Sequence, residues 1–176
     1  MQYVSMLRGI NVGGQKRVSM QTLKEGFSAI GLKEVQSYVQ SGNVVFSTNE
    51  DDISKLKKQI ETKIKQTIRF DVSVFLRTRA DLLKIVKKSP FKQRDETKLH
   101  VTFLYERPAA VPLDELKSAR VGEEEFSVSG SEIYLFCPNG YGVTKLSNSF
   151  FEKKLKVSAT TRNWRTVNTL LTMMSG

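Results

Sequence analysis

Two segments of the chain carry the residue types that grip anions. The first, Arg8-Gly9-Ile10-Asn11-Val12-Gly13-Gly14-Gln15-Lys16-Arg17, sets three cations among three glycines just ahead of a helix-like stretch. A helix start presents unpaired backbone N–H groups and a partial positive charge, and glycine lets an anion approach the backbone closely. Arg8, Lys16 and Arg17 are mildly unfavourable there by themselves, so a bound negative group would explain them. The N–H groups from Gly13 to Lys16 are the candidate holders of phosphate oxygens, with Asn11 beside them. The glycine spacing fits neither the P-loop nor the Gly-x-Gly-x-x-Gly dinucleotide fingerprint. The plain alternative is a wide turn with solvated cations.

The second segment is Tyr141-Gly142-Val143-Thr144-Lys145-Leu146-Ser147-Asn148, followed by Thr160-Thr161-Arg162-Asn163-Trp164-Arg165-Thr166. It combines hydroxyls, amides and three cations with the only tryptophan. Asn163 is placed to cap the last helix, and Arg162 and Arg165 are expected at that helix start. Arginine grips phosphate or carboxylate bidentately and tryptophan stacks on bases, so Lys145, Asn148, Arg162, Asn163, Trp164 and Arg165 are candidate ligand-binding residues. The competing reading is a structural corner, with Trp164 buried and Asn163 and Thr161 capping.

Other groups carry less. His100 alternates with Leu99, Val101 and Phe103, sharing a strand face with Lys98 and Thr102, and reads as a surface histidine without a nucleophile partner. Cys137, the single cysteine, excludes an internal disulfide and a cysteine-based zinc site, and no histidine lies near it in sequence. Glu123-Glu124-Glu125 reads as a solvated loop and Asp51-Asp52 as a helix start; neither has metal-ligand spacing. No metal and no cofactor is expected.

The elements that must position these residues follow from periodicity. Tyr3–Leu7 reads as a buried strand. Ser19 is a plausible cap for a helix whose Met20, Leu23, Phe27 and Ile30 recur at three and four, stopped by Gly31. Strands over 35–40 and 44–47 flank Ser41-Gly42-Asn43, a tight hairpin signal. Ile53, Leu56, Ile60, Ile64 and Ile68 mark one face of a long helix, and Val72–Leu76 closes the set as a strand. Strand, helix, strand, strand, helix, strand is the ferredoxin-like order, which puts Arg8–Arg17 and Ser41, Gly42 and Asn43 at one end of the sheet. A helix over Ala80–Lys88 then bridges to a strand (Leu99–Tyr105), a short helix from Pro112, a hairpin (126–128 and 133–136) and a helix (148–155), the same order again. The hairpin turns rhyme, Ser41-Gly42 against Ser129-Gly130. A final helix spans Trp164–Met174. The expected architecture is α+β: two ferredoxin-like (βαββαβ-type) halves with antiparallel sheets over 1–78 and 98–176, a bridging helix and linker over 79–97, and a C-terminal helix.

Length and composition agree with this. The chain has 176 residues, 39% hydrophobic and 26% charged, an ordinary globular composition that excludes disorder. No apolar run approaches the about 18 residues a membrane helix needs, and the segment after Met1 is too short for a signal peptide, so the expected address is the cytoplasm. The net charge of +10 is the unusual figure. Residues 1–78 carry twelve basic and seven acidic groups, residues 79–136 ten of each, and residues 137–176 six basic and one acidic. The surplus therefore belongs to the two ends of the chain, where both anion-gripping segments lie.

The stretches Leu7-Arg8-Gly9-Ile10-Asn11-Val12-Gly13-Gly14, Tyr38-Val39-Gln40-Ser41-Gly42-Asn43-Val44, Lys145-Leu146-Ser147-Asn148 and Thr161-Arg162-Asn163-Trp164-Arg165-Thr166 closely resemble, in order, a widespread bacterial family known as domain of unknown function number sixteen ninety-seven. The resemblance implies a cytoplasmic α+β protein with ferredoxin-like halves, and brings no activity, cofactor or catalytic residue with it.

The residues themselves name neither a partner nor a reaction. The preferred expectation is a module that binds a phosphate-bearing ligand, a nucleic acid or a phosphorylated small molecule such as a nucleotide. An alternative is an enzyme acting on a small anionic substrate in a cleft between the halves, with Asn11, Asn43, Asn148 and Asn163 joined by Tyr141 and Lys145; no paired carboxylates, triad or metal cluster is visible to support it. A further alternative is a protein-interaction module, for which the basicity is incidental.

Overall fold

A computed structural model of the chain describes residues 1–14 and 16–174. The chain divides into two compact units, Met1–Leu83 together with the chain from Leu170, and Lys84–Thr169.

In the first, β1 (Gln2–Leu7), α1 (Met20–Ala29), β2 (Lys33–Tyr38), β3 (Asn43–Ser47), α2 (Ile53–Ile68) and β4 (Val74–Thr78) form an antiparallel sheet of order β2-β3-β1-β4 under two helices. Ser19 caps α1, its hydroxyl accepting from the Thr22 N–H at 3.0 Å, and Gly31 follows the helix with φ +86°. Asp52 caps α2 by accepting from the Lys55 N–H at 3.0 Å. Leu56, Ile60 and Ile64, four residues apart, bury one stripe of α2 against Tyr3, Leu7, Val44, Phe46, Val74 and Leu76 of the sheet and Leu23 and Phe27 of α1. Phe46 is central, stacked on Tyr3 (5.9 Å) and edge-on to Phe27 (5.6 Å). Each such side chain contributes about 1.5–3 kcal/mol by burial alone. The helix α3 (Arg79–Lys88) follows β4 directly.

The second repeats this with β5 (Leu99–Leu104), α4 (Leu113–Ser118), β6 (Glu125–Ser129), β7 (Glu132–Phe136), α5 (Asn148–Leu155) and β8 (Ala159–Asn163), in the order β6-β7-β5-β8. Here α6 (Trp164–Met173) follows β8 as α3 follows β4. Ser147 caps α5, and Leu116, Phe151 and Leu155 pack on Leu104, Ile133, Leu135 and Ala159. The architecture is thus the expected α+β one, two four-stranded antiparallel sheets each carrying helices, with a helix at the C-terminal end.

Three local expectations are corrected. The hairpin turn runs from Val39, which is left-handed (φ +51°), to Gly42, so β2 ends at Tyr38 and Asn43 already pairs with Met6 as the first residue of β3. The last strand of the first half lies at 74–78, because Val72 precedes the register in which Leu7 meets Val74. Residues 159–163 form a strand for which no apolar alternation was visible, and Arg162 lies in that strand, not at a helix start.

Candidate functional site

The backbone builds one end of the first sheet around the close of β1. The Leu7 N–H donates to the Gly42 carbonyl (3.0 Å) and the Arg8 N–H to the Ser73 carbonyl (3.1 Å), so the hairpin and the start of β4 are sewn to the loop entrance. Gly42 must be glycine: it has φ +77°, and a Cβ there would lie 2.9 Å from Leu7 Cβ. Beyond Arg8 the loop departs from ordinary backbone repeatedly, with Asn11, Gly13, Gly14 and Lys16 at φ +56°, +59°, +76° and +46°. Asn11 holds it together. Its Nδ2 donates to the Val18 and Gln40 carbonyls (2.9 and 2.8 Å), its Oδ1 accepts from the Val18 N–H (2.9 Å), and its own N–H donates to the Lys16 carbonyl (3.3 Å). Ile10, fully buried, pins the loop to the core.

Asn11, Gly14, Arg17, Val18, Ser19 and Gln40 border an open depression of about 430 Å³ at the start of α1. The Arg17 guanidinium lies beside Gly14. Among the described residues Arg17 has no ion-pair partner and is exposed. Lys16 turns away, its Nζ donating to the Asp71 carbonyl at 3.2 Å. Gly13 is exposed, whereas Arg8 and Ser41 are half-buried. Asn43 is fully buried and donates to the Tyr38 carbonyl (3.1 Å) and the Ser41 hydroxyl (2.9 Å), so it shapes the turn. The structure therefore brings Asn11, Gly14 and Arg17 to one depression, with Gln40 as a border residue the sequence did not single out.

The candidates of the second half gather around β8. Asn163 accepts from the Thr166 N–H at 2.8 Å, the expected cap of α6. Arg162 and Trp164 are each 8% exposed, and Arg162 Nη1 donates to Thr160 Oγ1 (2.7 Å) and the Thr161 carbonyl (2.9 Å). Lys145 and Arg165 are exposed. Asn148, first residue of α5, accepts from the Thr161 hydroxyl at 2.7 Å, and Thr161 in turn meets Thr102 at 2.7 Å. His100 is not a surface histidine. It is half-buried, stacked on Tyr141 at 4.9 Å, because its strand face is the one covered by α4, α5 and the loop before α5, while the opposite face with Leu99, Val101 and Phe103 is buried as well. Burial holds its pKa below the ordinary histidine value, opposed by the Lys98 carbonyl, and keeps the ring neutral. Burial pushes the Cys137 thiol up to about 11, Glu124 adding to the rise and a Thr144 hydrogen bond opposing it, so this cysteine is no nucleophile at neutral pH. Among the described residues no group of three His, Cys, Asp or Glu is placed to hold a metal. No helix among them is long and apolar enough to cross a membrane.

A family described as "Protein of unknown function (DUF1697)" matches residues 1–134. The chain belongs to DUF1697. The match takes in all of the first half, including the Asn11 loop, and the second half of this DUF1697 protein as far as the middle of β7. A solved structure of the conserved bacterial protein SP0830 from Streptococcus pneumoniae is similar to it over 99% of this chain and 98% of the other, with a TM-score of 0.72 and 24% identity. That likeness concerns the fold. No curated protein matches the DUF1697 chain.

Proposed function

We propose that this protein binds a phosphate-bearing ligand, a nucleotide or a nucleic acid, at the loop between β1 and α1. The observation that carries this reading is the exposed Arg17 guanidinium beside Gly14, without an ion-pair partner among the described residues, on the rim of a depression at the start of a ten-residue helix. A helix start presents unpaired backbone N–H groups and a partial positive charge to an anion. Arg17 supplies the full charge and bidentate geometry for a phosphate. Gly13 and Gly14, both exposed, leave the backbone reachable. Arg8, Lys16 and Ser41 flank the loop and Asn43 and Gly42 set its floor. In the second half Lys145 and Arg165 are exposed, whereas Arg162 and Trp164 are buried and serve the fold.

Calorimetric titration with inorganic pyrophosphate, nucleotides and a single-stranded oligonucleotide tests the reading. Saturable binding that falls at least about tenfold in Arg17→Glu is expected, since a charge-assisted contact is worth about 1.5–3 kcal/mol. Oligonucleotide affinity that drops steeply between about 50 and about 200 mM salt identifies nucleic acid, because neutralised phosphates release counterions. Absence of binding at low salt, or binding indifferent to Arg17→Glu, overturns the proposal.

A further inference from the structure

The two halves align through equivalent hydrogen bonds: the Leu7 N–H reaches Gly42 and Arg8 reaches Ser73, as Leu104 reaches Ser131 and Tyr105 reaches Ser158. By this register Tyr3 corresponds to His100 and α2 to α5. Each of these helices spends one carboxylate on the strand that follows it, Glu61 accepting from the Val74 N–H and Glu152 from the Ala159 N–H, both at 3.0 Å. What α2 adds, and the shared frame does not require, is a row of lysines. Its 16 residues carry Lys55, Lys57, Lys58, Lys63 and Lys65 against Glu61 alone. The 8 residues of α5 carry Lys153 and Lys154 beside Glu152, and Lys154 is paired with Glu115.

The lysines of α2 are not equally committed. Lys55 pairs with Glu50 and Lys65 with Asp71. Lys58 and Lys63 have no ion-pair partner among the described residues, and no residue three or four places from Lys63 is acidic. Both border an open groove of about 440 Å³, walled by Lys55, Lys58, Thr62, Lys63 and Gln66 of α2 and floored by the half-buried Ile30 at the end of α1. Much of that wall is hydrocarbon, because a lysine lays its methylene stem along the surface and keeps the ammonium in water. The stem of Lys63 crosses α1 at Gly26, where an added Cβ would lie 3.7 Å from Lys63 Cγ and 3.8 Å from its Cε. These are ordinary contact distances, so packing does not forbid alanine there, although a glycine inside a helix weakens it.

We propose that this groove docks an acidic amphipathic helix of a partner protein, with an apolar side chain seated on Ile30 and the lysine stems, and two carboxylates engaging Lys58 and Lys63. The wall from Lys55 to Gln66 is about 17 Å long, three turns of helix, which suits a helix lying in a groove. Lys58 and Lys63 stand about 7.5 Å apart along the axis, the spacing of carboxylates four to five residues apart on a facing helix. A phosphate backbone would use the ammonium groups and leave the hydrocarbon floor idle. A second copy of this chain brings the wrong sign: its net charge is +10, and within its acidic run Glu124 is buried on the Val121 N–H and Glu125 is paired with Arg94. The groove adjoins the end of α1 and the Asn11 loop adjoins its start, so the two sites stand or fall separately.

The probe is a synthetic helical peptide of about fourteen residues, leucine on one face and glutamate on the other, titrated into the full chain and followed by fluorescence anisotropy. Saturable binding is expected, with amide shifts in nitrogen-15 NMR concentrated at Ile30 and from Lys55 to Gln66. The double variant Lys58→Glu with Lys63→Glu should weaken it at least about tenfold, since two attractions become repulsions. The double variant Lys117→Glu with Lys153→Glu makes the same charge change at two exposed lysines of the second half, and should weaken it less than about twofold. Thr62→Glu sets a carboxylate on the groove wall four residues from Lys58 and should weaken it about threefold. Far-UV circular dichroism checks that the variants are folded. Absence of binding, equal losses in the two double variants, or equal affinity for a peptide of glutamate alone overturns the proposal. A loss in the Lys58 and Lys63 variant that is larger for a single-stranded oligonucleotide, or for phosphatidylglycerol vesicles, than for the peptide assigns the lysines to that partner and overturns it as well.

Discussion

The two halves share one frame and elaborate opposite ends of it. In each, β1 or β5 sits between two antiparallel partners, an arginine occupies the next-to-last position of the closing strand (Arg77, Arg162), and the following residue caps a ten-residue helix: Thr78 Oγ1 accepts from the Asp81 N–H, Asn163 Oδ1 from the Thr166 N–H. The first half lengthens the connection after its first strand into the Asn11 loop, whereas the second crosses there through Glu106-Arg107-Pro108 and a shorter helix. The second half instead lengthens the connection before its second main helix, from Cys137 to Ser147, where the first has only Thr48 to Asp52. What the halves have in common is the fold, and what they do not share marks where each departs from it.

Substitutions in the two halves sharpen this contrast. The largest effect is expected in the core: Phe46→Ala in the first half and Phe151→Ala in the second should each cost about 3–5 kcal/mol in urea unfolding, since both are fully buried. Equal costs would show that the two cores are packed equally tightly. Next, Gly42→Ala should destabilise well beyond Gly130→Ala. Both glycines have positive φ, worth about 1–2 kcal/mol against a side chain, but only at Gly42 would the new Cβ press on Leu7. Third, Ser19→Ala and Ser147→Ala each remove a helix cap, and each should lower stability by about 1 kcal/mol.

The smallest effect separates Tyr3 from its counterpart His100. A histidine whose folded pKa lies below its unfolded value leaves the unfolded chain binding more protons, so its contribution to stability is present above about pH 6.5 and is lost as pH falls through the lower folded value. Unfolding curves taken downward from pH 6.5 should therefore show a loss of stability that His100→Gln removes. A slope unchanged in the variant would assign the loss to the carboxylates.

Much of the frame was legible because its signals are local. Ser19 before Met20, the isoleucine stripe of α2 and the helix from Asn148 to Leu155 each follow from caps and periodicity within a few residues. The strand β8 was not visible, since Ala-Thr-Thr-Arg-Asn carries no apolar alternation and its burial comes from threonines and an arginine satisfied by tertiary partners. The rhyme of the hairpins is real but offset by one residue: the carbonyl equivalent to that of Gly42 belongs to Ser131, not Gly130. Alternation around His100 implies one face in water, whereas both faces of its sheet are covered. The loop after Arg8 was marked by its glycines, but which of its residues bolt it and which remain available could not be read from types alone.

The Asn11 bolt has a kinetic meaning. Four hydrogen bonds tie Asn11 to Lys16, Val18 and Gln40. On the proposed reading an arriving anion need not wait for the backbone to be ordered, and the entropy of that ordering is charged to folding and not to association. Capture at this loop should be limited by encounter and by the screening of salt, with the residence time, not the on-rate, distinguishing one ligand from another.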